Sequence, residues 1–436
     1  MATNASRPLT IFFSVGEPSG DVHGANLIRA LRTRYPTLEC VGFGGPRMAE
    51  AGCRVHADLS AMAVMWFLRV LLNLHTYWRA VRRARAYFRE HRPDAVVLID
   101  FPGFNWWIAR AAKRHAIPVF YYVPPQVWAW ARWRVRKMRR LVDHVLCCLP
   151  FEQEWYARHG CNATLVGHPF FDEVRRHVLD QQFIQRIRSG AGKGICGQES
   201  RVCPRPLVTI LPGSRTQELT HNLGWLLKAA ERIRAGVPNV RFAVAAFKQA
   251  HAEIVERAVA TTDLPMEVHV GRTPELIYAA DCCLAKSGSV SLELLYHTKP
   301  TVIVYWVNRL TYALGKRLIK VRYITLVNLL AAHEAGIDPF CEHPEPYDPR
   351  QPDADQVLFP EYPTREDKSD QLAAHVIEWL TCDAKRRVLV GRLAELKARV
   401  CHEGAAQRAA DYMLGALNVV FSSANVDPNA SGRRAA

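Results

Sequence analysis

Short apolar runs recur along the first 170 residues, and each is followed by a turn and a longer amphipathic segment. The runs are LTIFFSV, CVGFGG, AVVLID, IPVFYYV, HVLCCL and ATLVG. Most are apolar at consecutive positions, so both faces of each strand are expected to be covered. Because the intervals between runs have helical lengths, the pattern predicts a parallel β-sheet with helices on both sides.

The same pattern restarts after residue 205, with the runs PLVTILPGSR, VRFAVAAF, MEVHVG, DCCLAKSG and PTVIVYWV. This restart predicts a second α/β domain. A length of 436 residues with 49% hydrophobic content supplies two cores, since single cores stop growing well below that length.

Changes in composition predict where the domains begin and end. The stretch 180–205 is rich in Gly, Arg and Pro, and 339–363 is rich in Pro, so both are poor helix or strand material. We predict a first domain over 1–179, an insertion or linker over 180–205, a second domain over 206–367, helices over 368–420 that pack back across the first domain, and a disordered tail over 421–436.

The charge balance indicates an anionic partner. Lys and Arg number 57 against 41 Asp and Glu, a net charge of +16, which suits nucleic acid, an anionic membrane or phosphorylated substrates. The twelve cysteines are scattered, several in apolar runs, and show no metal-ligand spacing, so reduced buried thiols are expected. The N-terminal apolar stretch is too short for a signal segment, which predicts a cytoplasmic protein.

Two acidic residues follow predicted strands of the first domain. Glu17 lies in the turn after a strand that ends at Val15, and Asp100 closes a later strand. Open α/β folds bind ligands at this edge of the sheet, where a carboxylate can accept a proton from an attacking hydroxyl. The alternatives are an ordinary turn at Glu17 and a helix-capping role for Asp100.

The second domain repeats this geometry with residues suited to a nucleotide. The guanidinium of Arg215 can clamp a diphosphate beside a helix N-terminus. Glu293, in the first turn of a later helix, suits a ribose diol, although an acid there also complements the helix dipole. The candidate donor-binding residues are Gly213, Ser214, Arg215, Ser287, Gly288, Ser289 and Glu293.

A nearly apolar stretch at 62–78 is followed by six arginines and one glutamate within 79–92. This arrangement predicts a helix lying in an anionic membrane interface, and a buried core helix is the alternative. The predicted membrane contacts are Met65, Trp66, Leu68, Leu71, Leu72, Arg79, Arg82 and Arg83. A second block at 128–140 mixes three Trp with six cations, which suits acyl chains and sugar phosphates better than single-stranded nucleic acid, so no nucleic-acid partner is expected.

From Ile11 to about Ala332 the chain resembles the lipid-A-disaccharide synthase family. The motifs that carry the resemblance are GEPSGD, GFGGPRM, IDFPGFN, YYVPPQVWAW, VRKMRRLVDH, LPFEQEWY, VGHP, LPGSR, SGSVSLE and LTYALGKRLIKVRYITLVNLLA. Their joint order and spacing make the likeness specific. Two departures are PPQVWAW, where SPSVWAW is expected, and Lys286 before SGS, where a small residue is usual.

The resemblance implies a B-type glycosyltransferase fold, in which two Rossmann-like domains face a cleft, with no metal and no cofactor. It implies inverting transfer of 2,3-diacylglucosamine from UDP-2,3-diacylglucosamine to 2,3-diacylglucosamine 1-phosphate (lipid X), forming a β(1→6) disaccharide and UDP at the inner face of the inner membrane. Asp100 would be the base or essential acid, Glu17 would lie beside the reacting sugar, and Asn328 would be an active-site residue. A homodimer is left open.

Two other functions fit parts of the sequence. Another B-type enzyme acting on UDP-N-acetylglucosamine would share the second-domain motifs but would not need the apolar basic segment. A non-enzymatic membrane- or nucleic-acid-binding protein would explain the charge of +16 but not the acids at the sheet edges.

Overall fold

The structure, a computed structural model, describes residues 8–59, 74–189, 205–308, 315, 317–351 and 354–418. The predicted membrane contacts from Met65 to Leu72 therefore lie outside the described residues, as does the whole of the predicted tail.

The first domain is built on a seven-stranded parallel sheet with the order β3-β2-β1-β4-β5-β6-β7. Its strands are β1 (Thr10–Val15), β2 (Glu39–Gly44), β3 (Cys53–Asp58), β4 (Ala95–Ile99), β5 (Val119–Tyr122), β6 (His144–Cys147) and β7 (Ala163–Leu165). Its helices are α1 (Pro18–Arg34), α2 (Pro46–Glu50), α3 (Leu74–His91), α4 (Pro102–Lys113), α5 (Val135–Leu141), α6 (Pro150–Arg158) and α7 (Pro169–Arg176). The central strands β1 and β4 are fully buried, as the consecutive apolar runs predict.

After α8 (Gln181–Ser189), the second domain forms a six-stranded parallel sheet with the order β10-β9-β8-β11-β12-β13. Its strands are β8 (Leu207–Leu211), β9 (Arg241–Ala246), β10 (Met266–Val270), β11 (Cys282–Lys286), β12 (Thr301–Trp306) and β13 (Glu361–Thr364). Its helices are α9 (Thr216–Gly236), α10 (Gln249–Val259), α11 (Thr273–Ala279), α12 (Val290–Tyr296) and α13 (Leu326–Glu334). Both sheets have the Rossmann-like order, so the predicted fold class is confirmed.

Three elements depart from the sequence pattern. The edge strands β3 and β13 were not predicted, because β3 is only partly buried and β13 contains a proline. Helix α8 falls inside the stretch predicted to be an insertion or linker. Its Phe183, Ile184 and Ile187 form a buried stripe, which holds the helix against the second domain near α11.

Three helices close the described chain: α14 (Ser369–Thr381), α15 (Asp383–Val400) and α16 (Ala405–Ala416). Helix α14 packs against α9 of the second domain, and α15 follows it there. The return to the first domain is made by α16, which packs along α1. The Asp172 carboxylate accepts the Gly404 N–H at 2.7 Å and so anchors the start of α16 to α7.

The segment between β12 and β13 connects the two domains. The Phe340 ring packs among Trp128, Phe151 and Trp155 of the first domain, with ring centroids 6.0–6.3 Å apart. The Lys320 N–H also donates to the Ala129 carbonyl at 2.8 Å. Next to this bond, Ile319 and Trp130 form an antiparallel bridge between the two domains. These contacts hold the second domain against the first.

Candidate active site

Glu17 and Asp100 meet at the edge of the first sheet. Glu17 follows β1 and Asp100 follows β4, and the strand order reverses between these two neighbours, where open α/β sheets bind ligands. Burial, then the Asp100 charge and a hydrogen bond between the two side chains, raises the pKa of Glu17 to about 7. Burial also raises the pKa of Asp100, while hydrogen bonds from Phe101 N–H and Glu17 lower it. These effects favour Glu17 as the protonated member of the pair and Asp100 as the ionised one.

The turn that carries Asp100 is strained. Asp100 and Phe101 have φ angles of 49° and 45°, a left-handed conformation that side chains other than glycine rarely adopt. The Asp100 carbonyl accepts hydrogen bonds from Asn105 Nδ2 at 2.8 Å and from the Tyr121 hydroxyl at 2.7 Å. Ser14 Oγ donates to Asn105 Oδ1 at 2.7 Å, which fixes the buried amide in turn. The strain is thus held by a buried network directly beneath the carboxyl pair.

Gly16 makes room for this turn. A Cβ atom on Gly16 would lie 2.2 Å from the Phe101 ring, so no larger residue fits without moving the ring. The Tyr77 ring of α3 packs against the Phe101 ring, with the two ring centroids 5.9 Å apart. The helix predicted to touch the membrane therefore reaches the residues around the carboxyl pair.

Asp21 has a structural task. Its carboxylate accepts the backbone N–H groups of Gly45 at 2.9 Å, Arg47 at 3.0 Å and Met48 at 3.1 Å. It therefore caps α2 and ties that helix to α1, instead of facing a ligand.

The second domain holds a cavity of about 280 Å³ at its own strand-order reversal, beside the ends of β8 and β11. Six of the seven predicted donor-binding residues line it: Gly213, Ser214, Ser287, Gly288, Ser289 and Glu293. The φ angle of Gly213 is +119°, and a Cβ there would lie 2.9 Å from the Glu218 side chain. Phe170 of the first domain completes the lining, so the cavity opens into the cleft between the domains.

Arg215, the seventh predicted donor residue, stands at the mouth of this cavity. Its side chain is 81% exposed and pairs with Glu218 at 3.3 Å. The Arg215 charge lowers the pKa of Glu17 against the influences that raise it, so the guanidinium lies near the carboxyl pair. The structure thus brings Glu17, Asp100 and Arg215 to one site.

Glu293 lies deep in the cavity. Burial raises its pKa to about 7, and the carboxylates of Glu275 and Glu173 add to the effect. Close to neutral pH the carboxyl can therefore donate a hydrogen bond as well as accept one.

Two charged residues of this cavity, Lys286 and Glu218, were not predicted as binding residues. Lys286 Nζ lies 2.9 Å from Glu218 Oε1, and both side chains line the cavity. The only sequence signal was the unusual lysine before SGS, because its partner stands 68 positions away.

Asn328 does not join this group. Its Nδ2 donates to the Phe359 carbonyl at 2.8 Å and to Glu361 at 3.0 Å, and its Oδ1 accepts the Phe359 N–H at 3.0 Å. The side chain is buried, and these bonds fasten the start of α13 to β13. Sequence reasoning expected an active-site residue here, whereas this geometry is that of a residue holding the second domain together.

Of the predicted membrane contacts, Arg79, Arg82 and Arg83 lie on α3. All three are exposed, whereas the opposite face of the helix packs in the core. Trp78 is 58% exposed, with the Arg82 guanidinium 4.7 Å from the ring centroid. Among the described residues, none of the helices combines the length and apolar character that crossing a bilayer requires.

Comparisons with solved structures agree on the fold. The glycotransferase of kitacinnamycin matches with a TM-score of 0.58 at 17% identity, over 94% of this chain and 99% of its own. The UDP-GlcNAc 2-epimerase from Neisseria meningitidis bound to UDP-GlcNAc matches with a TM-score of 0.58 at 9% identity, over 93% and 99%. Identities this low show the two-domain fold alone.

Sequence comparisons are more specific. The lipid-A-disaccharide synthase of Geobacter sulfurreducens is 31% identical over 96% of this chain and 99% of its own. That of Myxococcus xanthus is 32% identical over 94% and 98%. The profile of the family described as lipid-A-disaccharide synthetase matches residues 11–342. This chain therefore belongs to the lipid-A-disaccharide synthase family.

Proposed function

We propose that this chain transfers 2,3-diacylglucosamine from UDP-2,3-diacylglucosamine to 2,3-diacylglucosamine 1-phosphate, giving a β(1→6)-linked disaccharide and UDP. The supporting observation is the Glu17–Asp100 carboxyl pair, which faces Arg215 and the cavity of about 280 Å³ across the cleft. A base on one side and cations on the other suit proton removal from one sugar and departure of a diphosphate from the other. Membership of the family adds the identity of the two sugars.

The reaction is a single displacement. Asp100 takes the proton of the acceptor 6-hydroxyl while that oxygen bonds to the anomeric carbon of the donor. The bond from the anomeric carbon to the diphosphate breaks, and its electron pair leaves with UDP. Attack opposite the leaving group converts an α-linked donor into a β-linked product. The hydrogen bond from Glu17 holds the Asp100 carboxylate in place, and Arg215 offsets the negative charge that grows on the diphosphate.

The exposed basic face of α3 supports a peripheral position on an anionic membrane. Arg79, Arg82 and Trp78 are exposed on one helix, and cations near an anionic surface each contribute about 1 kcal/mol to binding. The contact between Tyr77 and Phe101 links that helix to the carboxyl pair. Acylated sugars could therefore pass from the bilayer to the site along α3, at the inner face of the inner membrane.

The proposal is tested by substituting the base. Asp100→Asn should lower kcat by roughly 10²- to 10⁴-fold, the usual contribution of a general base, while UDP affinity stays unchanged. Turnover is measured as UDP released from the diacylated donor in the presence of the diacylated sugar phosphate. Asp411→Asn, which removes a carboxylate from a surface ion pair with Arg34, is the matched control and should retain full activity.

Near-normal turnover by Asp100→Asn would remove Asp100 from the mechanism. Equal use of unacylated UDP-N-acetylglucosamine as the donor by the wild-type protein would count against the acylated substrate.

A further inference from the structure

Lys286 is a largely buried cation that faces the donor cavity. It ends β11, immediately before the turn of Ser287, Gly288 and Ser289, and its side chain is 14% exposed. Burying an ammonium group is costly unless a partner compensates for the lost water. The partner here is Glu218 on α9, with Nζ 2.9 Å from Oε1.

The same carboxylate oxygen also serves a second cation. Arg215 reaches Glu218 Oε1 at 3.3 Å, so one negative charge stands between two positive ones. The nearby Glu293 has a pKa raised to about 7 and carries less than a full negative charge at neutral pH. The side of the cavity formed by these groups therefore has an excess of positive charge before any ligand binds.

A salt bridge that merely joins α9 to β11 would lie in the protein interior, but this one lines a cavity of about 280 Å³. An ammonium group has three N–H donors. Glu218 is the one hydrogen-bond acceptor that Lys286 meets in the described part of the chain, and the Tyr305 ring lies 5.0 Å from Nζ on another side. Donor capacity therefore remains on the side that faces the cavity.

We propose that Lys286 binds the diphosphate of the nucleotide sugar, and that Glu218 holds the ammonium group in position while the site is empty. This inference rests on the proposed function and adds a second cation to Arg215 at the leaving group. A lysine and an arginine together match the two charges of a diphosphate better than either alone. The turn of small residues next to Lys286 lets the phosphates approach the backbone closely.

The test compares two ligands that differ only in the diphosphate. Lys286→Met should weaken UDP binding roughly 10- to 100-fold, the value of a hydrogen bond to a charged group, and leave uridine binding unchanged. Lys286→Arg, which keeps the charge, should recover most of the UDP affinity. Titration calorimetry with the full chain measures both ligands without the acylated substrates.

Lys228→Met is the matched control, because Lys228 also pairs with a carboxylate of the second domain, Asp367 at 2.9 Å, but does not line the cavity. It should leave UDP affinity unchanged. If Lys286→Met unfolds because Glu218 loses its partner, Glu218→Gln and Glu218→Gln/Lys286→Met are compared instead, since neither leaves an unpaired carboxylate. The double variant should bind UDP more weakly than Glu218→Gln.

UDP affinity of Lys286→Met within twofold of wild type would overturn the inference, as would an equal loss of uridine and UDP binding by that variant. Absence of UDP binding by the wild-type protein would instead refute the proposed function, so the two failures are distinguishable.

Discussion

At the scale of single residues, the site depends on two carboxyl groups with different surroundings. Burial raises the pKa of both, but Asp100 accepts hydrogen bonds that favour its ionised form, whereas Glu17 has a carboxylate as its nearest charged neighbour. Neighbouring acids whose surroundings push their pKa values apart are a frequent feature of active sites. Here the separation favours Glu17 as the holder of the shared proton and leaves Asp100 as the candidate base.

The raised pKa of Glu17 has a consequence for stability. The folded protein keeps a proton on Glu17 up to a pH of about 7, whereas an unfolded chain loses it near the ordinary glutamate pKa of 4.5. Between these values the folded state binds more protons, so the contribution of Glu17 to stability falls as the pH rises.

Glu17→Gln removes this titration. We expect the melting temperature of the variant, relative to wild type, to be higher at pH 8 than at pH 5. Thermal unfolding at both pH values measures the difference, with Glu39→Gln, at an exposed strand position, as the control. A difference that does not change with pH would contradict the assignment of the proton to Glu17.

At the scale of elements, the β4–α4 turn and helix α3 carry most of the site's geometry. Two consecutive residues with positive φ cost of the order of 1–3 kcal/mol each, and they persist because buried groups hold them. Asn105 is the centre of that support, since it binds Ser14, Ile99 and Asp100 at once. Its side chain is fully buried, so we expect it to act through the position of Asp100.

Asn105→Ala should therefore lower kcat more than it raises the dissociation constant for UDP, because the turn relaxes while the donor cavity is untouched. Losing these buried hydrogen bonds should also cost about 1–3 kcal/mol of unfolding free energy. Tyr121→Phe, which removes a single bond to the Asp100 carbonyl, should have the smaller effect on kcat. Equal loss of kcat and UDP binding would indicate general damage.

For α3, the double substitution Arg79→Glu/Arg82→Glu should reduce binding to anionic vesicles by at least 10-fold, because two attractive charges become repulsive. Flotation with vesicles of anionic and of neutral lipid measures the effect. Arg234→Glu/Arg257→Glu makes the same change of charge at exposed positions of the second domain and should bind normally. Unchanged flotation of the α3 variant would exclude this face from the membrane contact.

At the scale of the whole molecule, the sequence predicted what depends on local pattern. Apolar runs predicted eleven of the thirteen strands in the described residues, and the fully buried ones, such as β1 and β4, have the clearest composition. Residues directly after the central strands, such as Glu17 and Arg215, were predictable because chain order determines which loops meet at the sheet edge. The mixed edge strands β3 and β13 carry no such signal.

Contacts between distant segments could not be predicted in this way. The pairing of Lys286 with Glu218 joins a strand to a helix of another βα unit, and neither segment has a local sequence feature that indicates this contact. The same holds for Asn328, whose motif suggests a polar active-site residue while its amide is bonded to β13 and the residues before it. The roles of side chains whose partners are far away in the sequence can be recognised only in the folded structure.

The packing of α16 along α1 makes the first domain discontinuous in the chain. Ala406, Ala409, Ala410, Met413 and Leu414 of α16 share one buried cluster with α1 and β1, the elements on either side of Glu17. During synthesis the ribosome makes the whole second domain before these residues emerge, so the apolar side of α1 stays exposed until α16 is made. Assembly of the first domain is therefore expected to finish last, and chains that stop short of α16 would expose that surface to chaperones and proteases.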